Sequence, residues 1–164
     1  MSSDLEKVSD DFDVKKLEAC QAKTWEVLFA LKDQILEGMS EDEAHKIAKD
    51  LFIKFGNEKN WHPTKIRFGK NTLKTFREIS DPNVRLKKGD AFFLDIGCIF
   101  DNYEGDCGKT FVLGENAELQ KMIDAGETIF REVSNHWKET GLTGKELYDY
   151  AEQRAQAHGY LLAL

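Results

Sequence analysis

The sequence predicts an α+β fold, an antiparallel sheet with long helices packed on one face, and three observations carry that prediction. Apolar residues recur at helical spacing before about residue 56 and again after Gly114. Between the two helical regions lies the most apolar stretch of the chain, AFFLDIGCIF, at residues 91–100. Asp101-Asn102, residues with the chemistry of a hairpin turn, follows it directly and leads into a second strand.

The elements follow in order. Residues 1–12 are acidic and polar and predict a disordered lead. From Asp13 to about Glu37, Val14, Leu17, Trp25, Leu28, Leu31 and Ile35 keep a helical period, and Gly38 serves as a stop. Ser40 and Glu43 have the spacing of a capping box, which opens a second helix running through Ala44, Ile47, Leu51 and Phe55 to a cap at Gly56. Residues 61–76 contain two short strand-like runs, KIRF and TLKTF, interrupted by His62-Pro63 and Gly69. Turn signals at Asp81-Pro82-Asn83 and Lys87-Lys88-Gly89-Asp90 precede the apolar strand, and Phe111-Val112-Leu113 closes its partner. Leu119, Met122, Ile123, Ile129, Phe130, Val133 and Trp137 restore the helical period up to Gly141. Thr143 and Glu146 repeat the capping box and open a last helix toward Gly159, and residues 160–164 form an apolar, strand-like run.

Composition narrows the partners. A chain of 164 residues and 18.8 kDa is one domain of ordinary size, or a piece of a larger one. Lys and Arg number 23 against 30 Asp and Glu, and the resulting charge of −7 argues against a nucleic-acid or anionic-membrane surface. Cys20, Cys98 and Cys107 form no CxxC pair and read as reduced thiols. The N-terminus is acidic where a signal peptide would be basic, and no apolar run approaches the ~20 residues of a membrane span. A cytoplasmic location is the expectation.

Asp95 is the informative residue. A carboxylate inside a strand that is otherwise apolar is costly unless its charge is compensated. Asp106 lies eleven residues on, past the hairpin turn. With a two-residue turn at Asp101-Asn102, Gly97 faces Asp106 and Asp95 is its diagonal neighbour on the same face. With a four-residue loop the two aspartates are directly opposite. Both registers make the carboxylates converge, and paired carboxylates are one way hydrolases hold divalent ions. A satisfied buried acid beside an unrelated loop residue is the alternative.

The run LDIGCIFDNYEGDCGKTFVLG resembles the metal-binding hairpin of the pita-bread metallopeptidases, the family of methionine aminopeptidase, aminopeptidase P and prolidase. Asp95-Ile-Gly97, Tyr103, Gly105-Asp106 and Thr110-Phe111 match its pattern in order and spacing, and LKKGD at 86–90 resembles its lead-in. The resemblance implies a pita-bread half-fold over residues 13–164, the N-terminal half of a metallopeptidase domain. It implies that Asp95 and Asp106 are metal ligands in a site for two divalent ions (Mn, Co, Fe or Zn) acting on a peptide substrate. The family's remaining His and two Glu ligands have no counterpart in these 164 residues. The expectation is therefore weak or absent metal binding and no turnover by this chain alone, and no catalytic residue is assigned. His62, in Trp61-His62-Pro63, resembles a substrate-lining His of the family. The family's usual His seventeen or eighteen residues before the first Asp is replaced by Lys74-Thr75-Phe76-Arg77-Glu78. His136 and His158 fall in helical patterns and read as surface residues. Cys98 and Cys107 follow the strand alternation away from the carboxylates. Lys65, Arg67, Lys70, Lys74 and Arg77 read as a solvated basic face that could meet a substrate carboxylate. The family also includes ligand-free members that bind proteins or peptides, so a self-associating, possible homodimer module is the second reading.

Overall fold

The computed structural model describes residues 10–162. The first nine residues of the acidic lead and the last two of the terminal apolar run lie outside the described residues. Among the described residues, four α-helices and three strands follow in chain order: α1 (Val14–Lys32), α2 (Glu41–Phe55), β1 (Lys65–Phe68), β2 (Ala91–Phe100), β3 (Tyr103–Val112), α3 (Ala117–Thr140) and α4 (Gly144–Ala157). The strands form one antiparallel sheet in the order β1-β2-β3.

Local chemistry accounts for most boundaries. Asp13 caps α1 by accepting from the Lys15 N–H. That helix ends at Lys32, about a turn before Glu37, because the Gln34 and Ile35 N–H groups tighten onto the carbonyls of Leu31 and Lys32. Ser40 and Glu43 form both halves of the capping box of α2, and Gly56 ends it with φ 71°. Thr143 and Glu146 do the same for α4, whose cap is His158, one residue before Gly159. The second short run, TLKTF, is not a strand. Residues Gly69–Leu73 make a 3-10 helix and the chain then loops, held by the Asn71 side chain, which donates to Glu41 and Asp81 and accepts from the Asp81 N–H. The terminal run is irregular at Tyr160–Leu162.

The sheet has two unlike faces. Ile66 and Phe68 of β1, Phe92, Leu94, Ile96, Cys98 and Phe100 of β2, and Cys107 of β3 alternate onto the buried face. There they meet Cys20, Val27, Leu28 and Leu31 of α1 and Ala44, Ala48, Leu51 and Phe52 of α2. Residues of the opposite parity, Asp95 and Gly97 of β2 and Asp106 and Gly108 of β3, share the other face. The helix pair α3–α4 contributes no residue to this core cluster, although Glu127 of α3 pairs with Lys109 of β3. Arg154 of α4 clamps Glu132 of α3 through two hydrogen bonds of 2.8 and 3.2 Å, and His136 stacks on Tyr150 at 4.0 Å. No residue of α3 is fully buried, and Met122, Phe130 and Trp137 remain 43–73% exposed. No helix among the described residues is long and apolar enough to cross a membrane.

Candidate metal centre

The hairpin turn decides the geometry of the site. Asp101 and Asn102 adopt φ 52° and 64°, the left-handed pair of a two-residue hairpin. Phe100 therefore pairs with Tyr103 and Gly97 with Asp106, and Asp95 is the diagonal neighbour of Asp106. The longer-loop register is not adopted. Helix α1 fixes the second carboxylate from outside the hairpin: the Gln21 side-chain amide donates to the Asp106 carbonyl at 2.7 Å and accepts from its N–H at 3.1 Å. Gln21 had no expected role. Its signal in the sequence is weak, a polar residue one step from the buried Cys20.

His62 joins the two aspartates. Its Nε2 lies 3.4 Å from Asp106 Oδ1 and 3.8 Å from Asp95 Oδ1, and one donor atom from each of the three residues falls within 4.8 Å of the others. The preceding segment docks along β2. Asn57 Oδ1 accepts from the Ile99 N–H, Asn60 bridges to Cys98, and the Trp61 N–H donates to the Gly97 carbonyl. The Trp61 indole N–H donates to the Gly105 carbonyl at 3.2 Å, and its ring meets the imidazole edge-on at 4.5 Å. The imidazole rests in the space a side chain at Gly97 would fill: a Cβ there would come within 2.3 Å of His62 Cδ2 and 2.5 Å of Nε2. On the other face a Cβ at Gly105 would come within 2.2 Å of Thr24 Oγ1. Both glycines of the hairpin motif thus have a steric reason: one admits His62, the other admits α1.

The electrostatics suit a cation. Burial pushes the Asp95 carboxyl above its ordinary range, His62 opposes the shift, and Asp106 adds to it. The Asp106 side chain is 57% exposed and Asp95 35%, so the site opens to solvent on one side. One imidazole nitrogen with two carboxylate oxygens is a donor set for borderline divalent ions.

Other sequence candidates go elsewhere. His136 stacks on Tyr150 and His158 faces Glu132, so neither joins the group. Cys98 and Cys107 lie on the helix side of the sheet, where burial pushes their thiols up to about 11 and about 12. The basic run is not simply a solvated face. Arg67 is 3% exposed and donates to Ser80 Oγ and the carbonyls of Thr75 and Glu78, and Lys65 Nζ donates to the Phe76 carbonyl over the Phe76 ring. Lys70 pairs with Asp81 at 2.7 Å. These cations organise the 74–80 loop, because a buried guanidinium has to find acceptors for its donors.

Comparison with known proteins places the chain in a family. Residues 15–163 match the family described as metallopeptidase family M24. The chain is 27% identical over 158 residues to an Xaa-Pro dipeptidase of Pyrococcus horikoshii, covering 96% of this chain and 44% of that protein. It is 27% identical over 147 residues to a methionine aminopeptidase of Chlamydia pneumoniae, covering 87% and 50%. Among solved structures, the prolidase of Pyrococcus horikoshii superimposes with a TM-score of 0.74 at 27% identity, over 96% of this chain and 45% of that one. An X-Pro aminopeptidase from Thermotoga maritima gives 0.76 at 22% identity, over 95% and 44%. The chain spans about half the length of these relatives.

Proposed function

Because the chain belongs to metallopeptidase family M24 and has the α+β architecture of a pita-bread half-fold, we propose that it is the N-terminal half of a metal-dependent, cytoplasmic aminopeptidase-type hydrolase. Its substrate class is a peptide read from its N-terminal end, of the Xaa-Pro or methionine-initiated kind. The observation that carries this reading is the convergence of Asp95 and Asp106 on one open sheet face, with His62 beside both. In this reading Asp95 and Asp106 hold divalent ions (Mn, Co, Fe or Zn). Bound there, a divalent ion supplies Lewis acidity, polarising a peptide carbonyl and acidifying water. The chain's own part is positioning. Gln21 and the hairpin register fix the Asp106 backbone, and Trp61 and Gly97 fix His62 where an incoming peptide would meet it.

Two ions need more donors than two carboxylates, so the 164-residue chain alone is expected to release no N-terminal residue. The test uses the longest reading frame that contains this chain, loaded with Mn or Co and given Xaa-Pro dipeptides and Met-initiated peptides. Release of the first residue should be chelator-sensitive and lost in Asp95→Ala and Asp106→Ala. A metal-loaded protein that cleaves neither class would favour the second reading, a non-catalytic peptide- or protein-binding module that pairs with a second copy. That reading draws on the exposed apolar side chains of α3. A concentration-independent monomer in gel filtration would count against it.

A further inference from the structure

We propose that His62 is itself a metal ligand through Nε2, completing with Asp95 and Asp106 a three-donor site for one divalent ion inside this chain. The inference rests on the reading of the two aspartates as ligands and adds a role for His62 beyond contact with substrate.

Four observations converge on it. First, distance: ligands about 2.1 Å from a tetrahedral ion lie roughly 3.4 Å apart, and Nε2 is 3.4 Å from Asp106 Oδ1 and 3.8 Å from Asp95 Oδ1. Closing the longer gap needs only a small rotation of either side chain. Second, orientation: Nδ1 lies 3.0 Å from the Pro63 carbonyl, an acceptor, so Nδ1 carries the proton of that contact. Nε2 is then the ring atom turned toward the two carboxylates. A cation held between them would be bonded by the imidazole and both carboxylates. A ligating His that donates its other ring N–H to a backbone carbonyl is the usual supporting arrangement at metal centres.

Third, the imidazole is built in. Its side chain is 17% exposed, Trp61 abuts it, and the floor beneath it is Gly97, where a Cβ would come within 2.5 Å of Nε2. The glycine of Asp95-Ile-Gly97 is therefore the cradle of the third donor. Fourth, the donor set has consequences: with one nitrogen among two oxygens it favours Mn, Fe, Co or Zn over Mg or Ca. The partly exposed carboxylates leave the remaining coordination positions open to water.

The probe is Zn²⁺ added to the ¹⁵N-labelled 164-residue chain, read by calorimetry and by two-bond ¹H–¹⁵N correlation of the histidine rings. One Zn²⁺ should bind per chain and move the His62 Nε2 resonance, leaving His45, His136 and His158 in place. His62→Ala should bind at least about 10- to 100-fold more weakly. Gly97→Ala, which keeps all three donors but crowds the ring, should also weaken binding. If Zn²⁺ binds the parent chain, needs both aspartates, and leaves His62 Nε2 unmoved, the role of His62 is overturned while the carboxylate reading stands. If the parent chain binds no Zn²⁺, the three-donor site is overturned while the carboxylate reading, tested on the longer reading frame, stands; if Asp95→Ala and Asp106→Ala bind Zn²⁺ as tightly as the parent, both fall. The ring resonance of the unmutated protein decides the matter even where a variant does not fold.

Discussion

At the scale of single residues, the hairpin's glycines separate by what lies over them. Gly105 sits under α1, with Thr24 and the Cys20 carbonyl in the space of a missing Cβ. Gly105→Ala should therefore destabilise by about 1–3 kcal/mol through overpacking. At Gly108 the nearest atoms to a new Cβ are 3.7–3.9 Å away, ordinary contact. Gly108→Ala should leave stability unchanged or raise it by about 0.5–1 kcal/mol, since glycine weakens a strand. Urea titration of the pair reads both signs, and equal losses would refute the steric account. The carboxylates were legible in the sequence because strand parity and a two-residue turn place them without tertiary information. His62 was legible as a candidate, but not its distance to them. That depends on residues 57–61 docking along β2, a path no local pattern encodes. Arg67 was misread for the same reason: its acceptors come from a loop that forms around it.

At the scale of elements, the turn is the part on which the site's register depends. Asp101 and Asn102 both occupy the left-handed region, which Asn and Asp tolerate and Ala does not. Asn102→Ala should cost about 1 kcal/mol, and Asn102→Gly should be neutral or stabilising. Thermal melts of the two variants check this, and a stabilising Ala would mean that the turn changes type. Helix placement was readable from period and caps: α2 and α4 open at the predicted boxes, and Gly56 and Gly141 end their helices in the left-handed conformation. The end of α1 and the loss of the second short strand were not readable. The first is a local tightening of the last turn by the Gln34 and Ile35 N–H groups that no sequence signal marks, and the second is settled by a partner distant in sequence, Asn71 between Glu41 and Asp81.

At the scale of the whole molecule, stability should fall in acid over a defined range. Glu43, Glu78 and Glu146 are held below 4.5 by the capping hydrogen bonds they accept, Glu132 by Arg154, and Asp81 is lowered to about 2 by Lys70 and the Asn83 N–H. Depressed carboxyl values mean that each contribution is complete above the unfolded value and is lost as pH drops through the folded one. The urea midpoint should hold above about pH 5 and decline below it, and Asp81→Asn should flatten the lowest part, between 3.8 and about 2. A midpoint constant from pH 5 down to about 2 would contradict the assignment. The arrangement of helices over sheet was legible as a fold class. The absence of α3–α4 residues from the core cluster was not, since a helical period says that a face is apolar and nothing about what it meets. The Gln21 amide has a consequence of its own at this scale. By donating to and accepting from the backbone of Asp106 it imitates one residue of a neighbouring strand along β3, the outermost strand of the described sheet. It occupies the rung that a strand from another molecule would otherwise pair with, so the contact that fixes the Asp106 backbone also blocks edge-to-edge pairing at that residue.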